Sequence, residues 1–195
     1  MGEIFWKDKK VFITGHSGFK GSWLVIWLRS LGAEVFGYSD DSATAPSLSV
    51  ELNVNSKIGN VAGDIRDLES LRAALASFQP QIVFHLAAQS LVRYSYDDPI
   101  ETYSTNVMGT VNLLECIRST ESVRSVVVVT SDKCYENKEW VWSYREGEPM
   151  GGHDPYSNSK ACAELVTSAY RKSFFSTENH AFIATARAGN VIGGG

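Results

Sequence analysis

Cysteine is scarce in this chain: Cys116, Cys134 and Cys162 are the three in 195 residues, and no two form a C-x-x-C pair. An odd, scattered count excludes a disulfide framework and a cysteine zinc site, and it suits a reducing cytoplasm. Four dispersed histidines make no metal-ligand pattern. Excess positive charge is also missing. The formal net charge is −4, which removes the electrostatic case for nucleic acid or an anionic membrane surface. No apolar run approaches the roughly 18 residues of a membrane span; the densest, residues 23–28, is short and lies in a helical pattern. The start, MGEIFWKDKK, lacks a signal peptide's apolar segment and reads as running directly into a strand.

With 44% of its residues hydrophobic, a chain of this length buries one sizeable core and reads as one domain over residues 1–195. Short β-like apolar runs alternate with longer helical ones. Residues 11–13, 34–38, 61–65, 82–86, 126–129 and 182–187 read as strands, and 21–31, 68–78, 99–118 and 155–172 as helices. Gly32 ends the first helix and Pro80 follows the second. Such alternation, with several strands continuously apolar, predicts an α/β fold with a doubly wound parallel sheet covered on both faces. Residues 39–49, rich in Ser, Asp, Ala and Pro, read as a surface loop. The last residues, Val191-Ile192-Gly193-Gly194-Gly195, follow a strand directly. A glycine run there usually opens a crossing or a loop, so the chain is expected to be an N-terminal fragment of a longer protein.

The stretch VFITGHSGFKGSWL sets Gly15, Gly18 and Gly21 between the first strand and the first helix. The spacing is G-x-x-G-x-x-G, not G-x-G-x-x-G. The demands are the same: a tight turn, close backbone approach to a pyrophosphate, and a helix N-terminus aimed at its charge. An ordinary glycine-rich turn is the bland alternative, and the flanking elements favour nucleotide binding over it. The second strand ends in Tyr38-Ser39-Asp40-Asp41, where a carboxylate could hold a ribose hydroxyl, although exposed loop acids are usually only solvated. In GDIRD, Asp64 could accept from an adenine amino group while Ile65 lines the ring. No Arg or Lys lies just after the second strand to meet a 2′-phosphate, which favours NAD over NADP.

HDPYSNSKACAEL carries candidate chemistry. Asp154 is a good N-cap and Pro155 suits a first helical turn, so Tyr156 and Lys160 fall one turn apart on one face. A tyrosine hydroxyl titrates near about 10, too high for a base at neutral pH, and a neighbouring ammonium lowers that value. Chance places Tyr and Lys at this spacing often, but a serine on a neighbouring strand end makes chance a weaker account. That serine is Ser131. The run 126–129 ends in Thr130-Ser131, and Asp132 and Lys133 follow, an acid and a base side by side. Charge at the mouth of a buried strand means either chemistry in a ligand crevice or a plain surface ion pair.

TGHSGFKG, GDIRD, HLAAQS, TNVMGTVNLLE, Ser131, YSNSK and RAGNVIG together resemble the extended short-chain dehydrogenase/reductase superfamily over essentially the whole chain. Within it, GHSGFKGSWL, SDKCYENKEWVWSYRE and GGHDPYSNSK resemble the CDP-glucose 4,6-dehydratase family, the middle motif most specifically. The resemblance implies a Rossmann core that binds NAD, with most of a smaller C-terminal substrate domain absent from this chain. It implies a lyase that converts CDP-glucose to CDP-4-keto-6-deoxyglucose, on the route to bacterial 3,6-dideoxy sugars of lipopolysaccharide O-antigen. Implied cofactor contacts are Gly15, Ser17, Gly18, Phe19, Lys20 and Gly21; Asp40, Asp64 and Ile65; Leu86, Ala87, Ala88 and Gln89; and Asn106, Tyr156 and Lys160. Gln89, Arg93 and Asn190 are implied to reach the substrate, and Asn106 to stabilise the site from its helix. His85 reads instead as a satisfied core histidine. A homodimer built through the helices at 99–118 and 155–172 is implied by analogy.

In the implied reaction C4 of the sugar is oxidised, water is eliminated across C5 and C6, and hydride returns to C6. Tyr156 takes the 4-hydroxyl proton, Lys160 lowers the phenol's pKa and holds the nicotinamide ribose, and Ser131 hydrogen-bonds the developing ketone. Asp132 matches the acid at the departing 6-hydroxyl, so burial is expected to keep it protonated in part. Lys133 stands where thymidine-diphosphate relatives carry a glutamate base. It either removes the C5 proton, which needs desolvation or a second cation such as Lys160 to weaken its hold on its own proton, or stabilises the enolate by charge. EWVWSYRE holds two tryptophans and a tyrosine, expected to be half-buried or to form a lid. A 4-epimerase of the same superfamily would share Tyr156 and Lys160 but has no use for Asp132 and Lys133. A non-catalytic NAD-binding module usually loses the Tyr or the Lys, and both are present.

Overall fold

The β-branched and aromatic runs become strands because each finds an apolar layer to pack against on the pleated surface. A computed structural model describes residues 2–40, 47–176 and 181–194; Asp41, the expected loop up to residue 46, and Gly195 lie outside them. In chain order the elements are α1 (Gly2–Trp6), β1 (Lys10–Thr14), α2 (Phe19–Ser30), β2 (Glu34–Ser39), α3 (Leu48–Glu51), β3 (Gly59–Ala62), α4 (Leu68–Phe78) and β4 (Ile82–His85). They continue with α5 (Val92–Asp97), α6 (Pro99–Tyr103), α7 (Gly109–Arg118), β5 (Ser125–Ser131), α8 (Pro155–Phe174) and β6 (Phe182–Ala188). The strands are all parallel, in the order β3-β2-β1-β4-β5-β6. This is the doubly wound Rossmann sheet that the alternation predicts. Its order reverses between β1 and β4, the point at which such sheets bind ligands beyond their C-terminal strand ends.

One face of the sheet packs Phe12, Val83, Val126 and Ile183 under α4, α7 and α8. The other packs Val11, Ile13 and Val35 against Val25 and Leu28 of α2. Over β5 and β6 this second face has little cover: Phe182 is 75% exposed, Ala184 and Ala186 are exposed, and Val127 and Val129 are half-buried. Side chains fix the helix starts next to the site. Asp67 caps α4 by accepting from the amides of Glu69 and Ser70, and Asp154 caps α8 by accepting from the Ser157 amide at 2.9 Å.

Some boundaries differ from expectation. The chain does not enter β1 directly: α1 comes first, because Trp6 packs against Phe84 on the second face. β3 ends at Ala62, where its pairing with β2 stops, which leaves Asp64 and Ile65 in a loop. Residues 99–118 are α6 and α7 joined by a π-helical turn, Ser104–Met108. The end of the expected surface loop is α3, with Ser49 buried. α5 and the 3-10 turn Asp132–Cys134 gave no signal in the sequence pattern.

Candidate active site

The glycine loop after β1 is built by contacts that exclude a side chain. Gly15 has φ 72°, and a Cβ there would stand 2.6 Å from the Ala87 nitrogen; one on Gly21 would stand 2.1 Å from the Gly15 carbonyl oxygen. Gly18 caps α2 without a side chain, so the amides of its first turn remain for a ligand, at the end of the helix that favours negative charge. The loop forms one wall of a crevice of about 870 Å³ at the sheet's switch point.

The crevice gathers most of the expected cofactor residues. Gly15, Ser17, Gly18, Phe19, Lys20 and Gly21 line it from the loop, and Asp40, Asp64 and Ile65 from the ends of β2 and β3. Leu86, Ala87, Ala88 and Gln89 line it after β4, and Ser131, Lys133, Tyr156 and Asn190 line its far end. Asp64 is already engaged. Arg66 donates to both its carboxylate oxygens and holds the carboxyl below its ordinary range, against a smaller opposing effect of burial. Arg66 lines the crevice too; it stands within GDIRD, but the motif assigned it no role beside Asp64 and Ile65.

Lys160, one turn on from Tyr156 in α8, is 7% exposed and, unlike most of the expected cofactor contacts, is not among the residues lining the crevice. Burial, and then the charge of Lys20, pull its pKa down to about 8. Lys20 is therefore the second cation of the site, and it stands beside Lys160 where Lys133 was expected to. Tyr156 departs from expectation in the same region. Its hydroxyl is held above the ordinary value, first by burial and then by the carboxylates of Asp132 and Asp154, while the hydrogen bond with Ser131 works the other way. Lys160 is not among the groups acting on the phenol.

Ser131 ends β5 and is 6% exposed; its hydroxyl donates to Asp132 Oδ1 at 3.2 Å and accepts from the Lys133 amide at 3.2 Å. The 3-10 turn that follows sends its two charges different ways. Lys133 lines the crevice; Asp132 does not line it itself, although its carboxylate lies against Gly189, which does, and acts on the Tyr156 hydroxyl. Both side chains are exposed, so the burial expected for Asp132 is absent, and so is the desolvation that a base role for Lys133 needs. No ion pair joins the two residues, which removes the plain surface-pair reading.

Two expected contacts have other duties, and a third does not reach the crevice. The Gln89 side chain spends its amide on Thr102 and on the backbone of Leu91. Asn106 is 2% exposed and sits off the crevice wall, bonding both backbone groups of Gln89 and the Ser159 hydroxyl at 2.8–2.9 Å. It supports the site, as a buried helical asparagine must to be satisfied. Arg93 is exposed and does not line the crevice. His85 is a satisfied core histidine, bonded to Thr14 and Thr110, with its pKa lowered to about 3 by burial and then by Lys160. The tryptophans of the aromatic loop are not half-buried: Trp140 and Trp142 are exposed, and Tyr144 instead stacks on Tyr135.

The donor set fits a dinucleotide. Bare helix amides suit a pyrophosphate, the Asp40 and Asp64 carboxylates line one end, and Ser131 and the Tyr156 hydroxyl line the other.

Residues 12–185 match the GDP-mannose 4,6 dehydratase family. The chain is 60% identical over 195 residues to CDP-glucose 4,6-dehydratase of Salmonella typhimurium, an alignment covering 98% of this chain and 54% of that relative. It is 36% identical over 163 residues to UDP-glucose 4-epimerase of Mycolicibacterium smegmatis, covering 83% and 51%. Among solved structures, UDP-glucose 4-epimerase of Thermus thermophilus in complex with NAD superposes with a TM-score of 0.77 at 28% identity, over 91% of this chain and 54% of that one. The chain thus spans about half the length of the curated relatives it matches.

Proposed function

The chain belongs to the GDP-mannose 4,6-dehydratase family, and from that premise we propose that it is the NAD-binding part of a nucleotide-sugar 4,6-dehydratase acting on CDP-glucose. The observation that carries the reading is the convergence of Ser131, Lys133 and Tyr156 on the crevice that the glycine loop also lines. The 60% identity to a CDP-glucose 4,6-dehydratase supports the choice of substrate. The bare face over β5 and β6 supports a longer protein, because parallel sheets are stable with both faces covered. The same reading makes the enzyme a cytoplasmic homodimer; exposed Ile100, Leu165 and Phe174 on α6 and α8 support the pairing surface.

NAD, when bound, supplies an acceptor and then a donor of hydride for the sugar. Tyr156 takes the 4-hydroxyl proton as C4 is oxidised, and Ser131 hydrogen-bonds the developing ketone. Lys160, one helical turn on from Tyr156, supplies positive charge that favours the phenolate once a ligand excludes water from the crevice. In the elimination water takes the C5 proton while the charge of Lys133 stabilises the enolate, and Asp132, covered by the bound sugar in the full-length enzyme and so protonated, gives its proton to the leaving 6-hydroxyl. A 4-epimerase would need neither of these last two groups. The test is to incubate the full-length enzyme with CDP-, TDP-, UDP- and GDP-glucose and follow product mass. Loss of one water, fastest from CDP-glucose, is expected; an isomer of unchanged mass would overturn the reading.

A further inference from the structure

Helix α8 carries a third polar residue on the face of Tyr156 and Lys160, one turn beyond them, and the mechanism above does not use it. Glu164 is 6% exposed. It accepts from Thr130 on β5 and, at 3.0 Å each, from Thr185 and Arg187 on β6. Burial would raise the carboxyl's pKa, but bonds from Arg187, Thr130 and Thr185 together hold it below the ordinary range. The other arm of Arg187 donates at 2.8 Å to the Tyr135 hydroxyl and at 2.8 Å to the Glu146 carbonyl, and its guanidinium lies 4.9 Å from the Tyr135 ring centre.

The turn bearing Asp132 and Lys133 is therefore gripped at both ends by one ion pair. Thr130, just before Ser131, bonds Glu164; Tyr135, just after Cys134, bonds Arg187. The same pair is rooted in the helix that holds Tyr156 and Lys160. We propose that Glu164 and Arg187 are positioning residues that set Asp132 and Lys133 in register with Tyr156, so that elimination can follow oxidation on one bound sugar. This rests on the dehydratase reading.

Arg187→Lys keeps a charge for Glu164 but loses the planar fork that reaches Tyr135 and Glu146. In the full-length enzyme it is expected to slow water loss on the order of 100-fold, the scale of a misplacement of about 1 Å. Single-turnover nicotinamide reduction and KM stay near wild type, so reduced nicotinamide accumulates. Tyr135→Phe, which removes one hydroxyl and endangers the fold less, gives the same split at about tenfold. Without any cofactor, amide hydrogen exchange in both variants quickens across residues 132–151 and not in α8. Reduction and water loss slowing in parallel, or exchange at 132–151 unchanged, would overturn the proposal while a dehydrating wild type leaves the dehydratase reading standing. A wild type whose product keeps the substrate's mass would overturn both.

Discussion

Replacing Lys160 by methionine should make the protein more stable. Lys160 is buried beside the charge of Lys20, and its pKa falls from 10.5 to about 8. Holding that charge in the folded state opposes folding. Each tenfold loss of proton affinity corresponds to about 1.4 kcal/mol, so the opposition at neutral pH is about 3 kcal/mol. Below about 8 the folded and unfolded chains both carry the proton, and the whole penalty is present. Between about 8 and 10.5 the folded chain has released it while the unfolded chain has not, so stability due to this residue rises with pH. Above 10.5 neither form is charged and the penalty is gone.

Methionine fills a similar volume without charge. Urea unfolding of Lys160→Met should show a gain of about 3 kcal/mol at pH 7 that shrinks to nothing as the pH passes 10.5. Wild type and variant must be compared at each pH, because other groups titrate there. Burial raises the thiols of Cys116 and Cys134 from 9.0 to about 11, which makes stability fall across that range, the opposite sign. The difference between the two proteins cancels the thiols. A variant no more stable than wild type at pH 7, or a gain that persists undiminished above 10.5, would refute a folding penalty from burying the Lys160 ammonium.

Gly21→Ala forces a Cβ to 2.1 Å from the Gly15 carbonyl and 2.7 Å from the His16 Cα; calorimetric NAD affinity should collapse and stability fall by about 3 kcal/mol. Gly147→Ala, where a Cβ meets nothing within 4 Å, should leave both unchanged. Glu164→Ala strands the Arg187 charge and should cost about 3 kcal/mol in urea unfolding, most of it recovered in Glu164→Leu with Arg187→Met. Asp154→Ala removes an acceptor for the Ser157 amide and hydroxyl, with a cost of about 1 kcal/mol in thermal unfolding.

What the chain declares in its sequence is what short range decides. The apolar runs, the caps at Asp67 and Asp154, and the spacing of Tyr156 and Lys160 each act within a turn or a strand, and the fold follows from them. The glycine positions were legible for the same reason, since a φ of 72° at Gly15 is a local demand. Lys20 and Arg66 could be seen as residues but not as neighbours. Lys20 acts on Lys160 only because the switch point brings the ends of β1 and β5 to one crevice, and Arg66 reaches that crevice only because β3 stops at Ala62.

Asp132 and Lys133 show the limit most sharply. Adjacent charges after a strand suggested one shared environment, yet a 3-10 turn advances about 120° per residue, so neighbours diverge. Lys133 lines the crevice directly, and Asp132 borders it only through Gly189. The direction of that turn is set by what holds its far end, and Tyr135 is held by Arg187, a residue on another strand. If the proposed positioning holds, an acid and a base written side by side become a working pair only through a clamp drawn from elsewhere in the fold. If the clamp is cut and both charges keep their places, some other contact fixes the turn, and Arg187 is only part of the core.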